Sequence, residues 1–184
     1  MALEHAILVS LREQPGSGYE LARRFDRSIG FFWSATHQQI YRVLARMYAD
    51  GWVDATTLPE HGRREKKVYE VAPEGGRVLA AWLSTPVPTD KVRSDISVKL
   101  RGASYGERAD VLDNLRDHLA EHRTRLAHYE QMTTADFPDA GRLDADRLDG
   151  HRLDVYLVLR GGIRYEEFWV GWCEEVLETL GDRS

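Results

Sequence analysis

The segment from Ser34 to Val53 constrains the fold most, because it has the pattern of one helix with two chemically different faces. Helical periodicity gathers its large apolar residues on one side, namely Ile40, Val43, Leu44 and Met47. Thr36 and Gln39 have the spacing of a capping box, and Asp50-Gly51 suits the turn that ends a helix. The pattern therefore predicts a helix from about residue 36 to residue 50 that packs its apolar side on a core.

The opposite side of this helix combines amide, phenol and guanidinium groups with small residues. It carries Ser34, Gln38, Tyr41, Arg42 and Arg46, with Ala45 and Ala49 between them. Such a face can approach the edges of DNA bases closely and form hydrogen bonds with them. Taken alone, the same pattern is equally compatible with an ordinary solvated helix face.

The segment that follows favours the nucleic-acid interpretation. Trp52–Leu58 and Lys67–Val71 are rich in β-branched and aromatic residues and predict two short strands. Between and beside them stand a turn-prone tip and a cluster of cations, Arg63, Arg64, Lys66 and Lys67. A helix followed directly by a basic hairpin is typical of a winged helix-turn-helix, in which the helix enters the major groove and the wing contacts the backbone.

The rest of the chain predicts helices and one break. Helical segments are expected at Leu3–Leu11, Gly18–Phe25, Gly75–Leu83, Asp90–Arg101, Glu107–Met132 and Leu153–Leu180. Two prolines in residues 85–89 favour an extended linker. We predict a mainly α fold with a small β-wing: a winged helix-turn-helix DNA-binding domain over residues 1–84, a linker over 85–93, and a helical C-terminal dimerisation domain over 94–184.

The two long C-terminal helices need a cover for their apolar residues. Leucines recur every seven residues, a spacing suited to packing against another helix. That cover is the N-terminal domain, the other long helix or a second subunit, and we favour the second subunit because DNA-binding winged helices commonly act as dimers on paired half-sites. The predicted dimerisation residues are Leu112, Leu115, Leu119, Leu126, Tyr165, Phe168, Trp169, Trp172 and Val176.

Candidate small-molecule and metal sites are weakly indicated. Tyr156, Trp169 and Trp172 are candidates for lining a pocket for a flat hydrophobic or aromatic effector, although core or dimer packing explains them equally well. His118 and His122 have a metal-compatible spacing without a third ligand, so no metal or cofactor is predicted. No motif of a hydrolase, metalloprotease or phosphate-binding loop occurs, and we do not expect an enzyme.

Charge and composition set the remaining expectations. The net charge is −5, but residues 1–83 carry 11 basic against 10 acidic side chains, whereas residues 84–184 carry 14 against 20. Local clustering of cations is what phosphate contact requires. A single cysteine excludes an intramolecular disulfide, and no window approaches the roughly 18 apolar residues of a membrane span. We expect a cytoplasmic protein without a membrane partner.

Several short motifs give the chain a family resemblance. They include Gly18-Tyr19-Glu20-Leu21, the run from Gln39 to Leu44 leading to Asp50-Gly51-Trp52-Val53, and Gly62-Arg63 with Lys67-Val68-Tyr69-Glu70-Val71. The chain resembles the PadR family of transcriptional regulators, in the longer branch with a virulence-activator-like C-terminal domain. The resemblance implies a homodimeric, usually repressing regulator whose third helix and wing bind a palindromic operator in double-stranded DNA.

The resemblance also adds site residues. It implies that Tyr19, Gln38, Tyr41 and Arg42 occupy positions at which members of the family contact DNA. The complete predicted DNA-binding set is Tyr19, Ser34, Gln38, Gln39, Tyr41, Arg42, Arg46, Arg63, Arg64, Lys66 and Lys67. In Ala72 the chain lacks the capping threonine that the family usually has before the helix after the wing. The alternative function is a protein–protein interaction module whose winged helix no longer binds DNA.

Overall fold

The computed structural model describes residues 2–27, 35–59, 66–89, 93–138 and 150–181. The chain divides into two compact units, Met1–Thr89 and Asp90–Ser184. The first contains α1 (Ala2–Glu13), α2 (Gly18–Arg27), α3 (His37–Ala49), β1 (Val53–Leu58), β2 (Lys66–Val71) and α4 (Pro73–Leu83). The second contains α5 (Asp95–Arg101), a short 3-10 turn (Ala103–Tyr105), α6 (Arg108–Asp136) and α7 (Gly150–Gly181). The prediction of a mainly helical fold with a two-stranded wing is confirmed.

One apolar core holds the first unit together. Each of its helices and the first strand bury residues there: Ile7, Leu8, Leu11, Leu21, Phe25, Ile40, Leu44, Met47, Val53 and Leu79. Within α3, Ile40, Leu44 and Met47 are fully buried and Val43 is half-buried. The apolar side predicted from the sequence therefore packs inward, and the opposite side of α3 is left to solvent.

The ends of α3 form as the sequence predicts. The Thr36 hydroxyl accepts a hydrogen bond from the Gln39 backbone N–H at 3.2 Å, and the Gln39 side-chain oxygen accepts one from the Thr36 N–H at 2.8 Å. Two otherwise unpaired donors at the start of the helix are satisfied in this way. At the other end Gly51 adopts φ +71°, a left-handed conformation that glycine reaches without a Cβ clash.

The wing is an antiparallel pair that is anchored at its base. Val53 pairs with Val71 at one end and Leu58 with Lys66 at the other, and residues 60–65 lie outside the described part of the chain. On its other side Tyr69 exchanges two backbone hydrogen bonds with Gly16, at 3.0 and 2.9 Å. The loop before α2 therefore continues the sheet for one residue and ties the wing to the first two helices.

Helix α4 begins at Pro73, two residues before the predicted start at Gly75. Ala72 precedes it without a side-chain cap, which agrees with the missing threonine, and proline is well suited to the first helical position. A Cβ at Gly75 would lie 2.0 Å from the Trp52 carbonyl oxygen. Glycine at this position therefore lets α4 pack directly on the backbone that leads into β1.

The second unit is built around the packing of α6 on α7. Ile96, Leu115, Leu119 and Cys173 form its buried cluster, against which Trp169, Val170, Trp172, Val176 and Leu177 are packed. Helix α5 begins at Asp95 with Ser94 as its cap, later than the predicted Asp90, while α6 extends to Asp136 rather than Met132. Helix α7 begins at Gly150, three residues before the predicted Leu153.

Within the single chain the α6 seam packs against α7, and the contact predicted with a second subunit remains a prediction. Leu112, Leu115 and Leu119 are already buried within the single chain, and α7 provides the principal cover for α6. The reason is geometric, since α7 is long enough to lie along α6 and carries buried Tyr156, Leu159 and Ile163 on one side. Among the described residues, no helix is both long and apolar enough to cross a membrane.

Candidate nucleic-acid interface

The outward side of α3 presents a continuous polar surface. Gln38, Tyr41 and Arg42 are exposed, and Tyr41 retains 49% of its accessible surface. Within the described part of the chain, Arg42 has no ion-pair or hydrogen-bond partner. Exposed Ala45 and Ala49 continue the same side without bulk. This surface, which we call the α3 face, can bring an amide, a phenol and a guanidinium group into a groove together.

Two predicted contact residues have structural partners. The Arg46 guanidinium at the edge of the α3 face contacts the carboxylate of Glu4 on α1, which is only 5% exposed. Because a buried carboxylate needs a compensating cation, Arg46 joins α1 to α3. Gln39 uses its side-chain oxygen in the helix cap. Their predicted DNA contacts remain predictions.

Glu20 connects the start of α2 to the wing. Its Oε2 accepts hydrogen bonds from the Ser17 N–H and hydroxyl, both at 2.9 Å, and its Oε1 accepts one from the Lys66 ammonium at 2.7 Å. The hydrogen bond from Lys66, followed by that from the Ser17 backbone, lowers the pKa of Glu20 from 4.5 to about 2. Ser17 and Glu20 have the three-residue spacing of a capping box, so their contacts are local, whereas the Lys66 contact joins residues 46 positions apart.

Lys67 lies between two aromatic rings beside the α3 face. Its ammonium is 4.0 Å from the ring centroid of Tyr48 and 5.2 Å from that of Tyr69. Tyr48 was not among the predicted site residues, although it follows Tyr41 by seven residues and therefore falls on nearly the same side of α3. Cation–π contact holds Lys67 at the junction of helix and wing while leaving the residue exposed.

The remaining predicted DNA contacts divide into described and undescribed residues. Tyr19 on α2 is 58% exposed, with the Arg23 guanidinium carbon 5.9 Å from its ring centroid. Ser34, Arg63 and Arg64 lie outside the described residues. The structure therefore brings Gln38, Tyr41, Arg42 and Lys67 to the surface of one unit, with Tyr19 exposed on the neighbouring helix.

In the second unit a different part of α7 is exposed. Tyr165 and Phe168 are 59% and 60% exposed, while Trp169, Trp172 and Val176 are half-buried. Leu126 on α6 is also half-buried. Of the predicted dimerisation residues, the exposed aromatic pair on α7 is thus the part that remains accessible in the single chain.

A buried polar cluster joins α6 to α7. His122 Nδ1 lies 2.5 Å from Glu166 Oε2, Arg125 Nε donates to Glu166 Oε1 at 3.2 Å, and the Trp169 ring stacks on His122 at 5.2 Å. Burial, followed by the charge of Glu166, raises the pKa of the Tyr129 phenol. His122 therefore packs against a carboxylate and an indole, and no metal-binding group of three ligands occurs among the described residues.

The predicted effector aromatics are packed rather than open. Tyr156 is buried and contacts Phe137 at 5.3 Å between ring centroids, and Trp169 lies between His122 and Trp172. A cavity of about 410 Å³ lies elsewhere in the same unit, between the end of α5, the start of α6 and the end of α7. None of the three predicted aromatics lines this cavity. Cys173 is buried, and burial followed by the charge of Glu174 raises the pKa of its thiol.

The fold and the exposed α3 face define a winged-helix transcriptional regulator, and the comparisons with known proteins agree. Residues 7–81 match the PadR-like family of transcriptional regulators, and residues 92–181 match the virulence activator alpha C-terminal domain. A probable transcriptional regulator of Mycobacterium tuberculosis is 49% identical over 193 residues, which cover 100% of both chains. The chain belongs to the PadR family of transcriptional regulators, which are not enzymes.

Proteins of known structure with the same fold include a negative regulator and an activator. The negative regulator PadR of Bacillus subtilis is 30% identical over 97% of each chain. Its complex with operator DNA superposes with a TM-score of 0.84 at 26% identity, covering 98% of this chain and 99% of that one. Its complex with p-coumaric acid gives a TM-score of 0.78 over the same shares. The Vibrio cholerae virulence activator AphA gives 0.79 at 30% identity, covering 99% of each chain.

Replacing Glu20 by Gln should weaken the link between α2 and the wing in a pH-dependent way. Because the pKa of Glu20 is lowered to about 2, its ionised form stabilises the fold fully above pH 4.5 and loses this effect as the pH falls towards 2. The side chain is 41% exposed, so we expect a loss of at most about 1 kcal/mol at pH 7.

Urea unfolding of the wild type and Glu20→Gln at pH 7 and at pH 2.5 measures this difference, with Glu70→Gln on the exposed side of β2 as the control. The difference in unfolding free energy should shrink at the lower pH for Glu20→Gln only. An equal difference at both pH values would contradict the assigned ion pair.

Proposed function

We propose that this protein is a homodimeric repressor that binds a palindromic operator, reading bases with the α3 face and contacting the DNA backbone with the wing. The observation that carries the proposal is the juxtaposition of the exposed Gln38, Tyr41 and Arg42 on α3 with the exposed Lys67 on β2 of the wing. The helix supplies groups that hydrogen-bond to base edges, and the lysine supplies charge for phosphate. The operator complex of a relative with the same fold supports this assignment.

Repression is the direction that we propose for the regulatory output. It is supported by the relative that is a negative regulator and shares the full length of the chain. A virulence activator is similar over the full length too, so the fold serves both outputs. A dimer bound where polymerase must bind would repress transcription by occlusion, and this is the mechanism that we propose.

A gel shift with duplex DNA from upstream of the protein's own gene tests operator binding. We expect a sequence-specific shift, and Arg42→Ala should weaken it by about 1–3 kcal/mol while relaxing specificity. Lys67→Ala should weaken binding to all sequences and lower the slope of log affinity against log salt by about 1. Arg77→Ala, an exposed arginine on α4 outside the α3 face, is the matched control and should change neither quantity.

The alternative is a protein–protein interaction module, and one observation favours it. Of the predicted DNA-binding cations, Arg46 is paired with Glu4 and Lys66 with Glu20, so fewer charges are free for phosphate than the sequence indicates. The same gel shift separates the two functions. If neither upstream DNA nor a random-sequence duplex pool is shifted at low salt, the DNA-binding proposal is rejected and the interaction module is favoured.

For the dimer we propose a stripe along α7 as the contact between subunits. The stripe consists of Val158, Gly161, Tyr165, Phe168 and Trp172, whose spacings alternate between three and four residues. Gly161 has no neighbouring atom within 4 Å of its Cβ position, and Tyr165 and Phe168 are among the most exposed aromatic residues of the described chain. A surface of this pattern suits a helix of a second copy related by a two-fold axis.

Sedimentation equilibrium tests the stripe. The wild type should sediment as a dimer, and Phe168→Asp should shift it towards monomer because the dimer would bury an unpaired charge. Val155→Asp is the matched control, since Val155 is exposed on the same helix but lies about 60° around it from Val158 and about 100° from the centre of the stripe. Equal effects of both substitutions, or none of either, would reject this stripe as the interface.

We also propose an aromatic carboxylic acid as the class of effector that releases the operator. The relative crystallised with p-coumaric acid supports this class. In this chain Tyr156, Trp169 and Trp172 are engaged in packing, so an effector that used them would have to displace buried contacts.

Addition of p-coumaric acid to the gel shift tests the effector, with cinnamyl alcohol, which lacks the carboxylate, as the control compound. We expect p-coumaric acid alone to weaken the operator complex, and Trp169→Leu to reduce the response. Operator affinity that is unchanged at saturating p-coumaric acid would reject this compound as the effector.

A further inference from the structure

We propose that Gly18 is a positioning residue for operator recognition, because its missing Cβ lets the ring of Tyr41 lie against the start of α2. The inference rests on the DNA-binding function proposed above. It assigns a role in recognition to a residue that has no side chain to offer to DNA.

The contact between Gly18 and Tyr41 leaves no room for a methyl group. Gly18 is buried at the first position of α2. A Cβ at this position would lie 2.4 Å from Cε1, 2.8 Å from Cδ1 and 3.2 Å from Cζ of Tyr41. Real Cβ atoms essentially never approach another atom below 3.0 Å, so any side chain at position 18 would require the ring to move.

The clash involves a side chain rather than the backbone. All three atoms nearest to the Cβ position of Gly18 belong to the Tyr41 ring, whereas at Gly75 the nearest atom is the backbone oxygen of Trp52. An alanine at position 18 is therefore accommodated by a rotation of Tyr41, with the helices kept in place. The next staggered side-chain conformation lies roughly 120° away and would move the phenol oxygen to a different part of the surface.

The position of the Tyr41 phenol matters for base recognition because Tyr41 lies on the α3 face. Tyr41 lies one helical turn into α3, on the α3 face between Gln38 and Ala45. Residues near the N-terminus of a recognition helix are the ones that reach base edges. Hydrogen bonds to a base weaken steeply when the donor or acceptor is misaligned. Gly18 on α2 thus determines where the Tyr41 phenol, a group proposed to contact bases, lies on α3.

The surrounding contacts hold Gly18 where the ring needs it. Ser17, the preceding residue, and Glu20 close the start of α2 with reciprocal hydrogen bonds of 2.9 and 3.3 Å. The backbone of Gly16 is fixed to Tyr69 of the wing at 3.0 Å. The backbone against which Tyr41 rests is therefore fixed from both sides.

A double-mutant cycle tests the inference with the full-length protein and the duplex that shifts in the gel assay, or one enriched from a random-sequence pool. We expect Gly18→Ala to weaken operator affinity roughly tenfold, about as much as Tyr41→Ala, as for the loss of one base contact. In the Tyr41→Ala background the glycine substitution should cost nothing further, because the ring through which it acts is gone. The salt slope should be unchanged in both variants, since no phosphate contact is lost.

Two controls separate positioning from general damage. Gly76→Ala on α4 introduces a methyl group whose nearest neighbour, Arg12 Nη2, is 3.6 Å away, and operator affinity should be unchanged. Thermal unfolding of Gly18→Ala in the Tyr41→Ala background should occur at the same or a higher temperature than that of Tyr41→Ala, because alanine favours helix more than glycine. A Gly18→Ala effect of equal size in both backgrounds would overturn the inference.

The contact can also be measured without DNA. Gly18 α-protons lying against an aromatic ring should resonate upfield in the wild type and move downfield in Tyr41→Ala. Identical Gly18 shifts in the two proteins would show that the ring does not rest there and would reject the inference. If these shifts differ but the wild type binds no duplex, the contact stands and the DNA-binding proposal fails, together with the role in recognition assigned to Gly18.

Discussion

The position of the wing on the helices of the first unit depends on the carboxylate of Glu20. This carboxylate closes the start of α2 through Ser17 and holds Lys66 at the start of β2, so that one side chain joins a local cap to a long-range contact. The backbone pairing of Gly16 with Tyr69 also ties the wing to the loop before α2. Without these links a two-stranded sheet would be a marginal element, because an isolated hairpin has little buried surface of its own. The wing is thus part of the helical unit rather than an appendage of it.

Ion pairs within the first unit explain why its count of basic residues is a poor guide to the cations available on its surface. Two of the cations that the sequence offers for DNA contact neutralise carboxylates within the unit, and the carboxylate of Glu4 is buried. Arg42 and Lys67 differ because Arg42 has no partner among the described residues and Lys67 rests on aromatic rings, which leave its charge intact. Cations of similar position in the sequence therefore divide into those that stabilise the fold and those available to a ligand.

Local signals in the sequence were sufficient for most of the fold and for part of the site. The limits of α3, its inward residues and the cap of α2 follow from spacings of three or four residues, and the structure agrees with each. The partners of Arg46 and Lys66 could not be predicted, because they lie 42 and 46 residues away and depend on how the elements pack. For the same reason the leucine spacing of α6 predicts a helix-packing seam, which α7 contacts within the chain, but a period of seven does not distinguish a helix of the same chain from that of another.

The two units use buried polar groups in comparable ways. In the first, Glu4 and Arg46 join α1 to α3, and in the second, Glu166 with His122 and Arg125 joins α6 to α7. Apolar contacts alone would tolerate sliding of one helix along another, whereas a buried carboxylate must meet its particular donors and so favours one register. Fixed registers leave specific residues exposed, Gln38, Tyr41 and Arg42 on α3 and Tyr165 and Phe168 on α7. The buried carboxylates and their partners thus help to determine which polar and aromatic side chains each unit exposes.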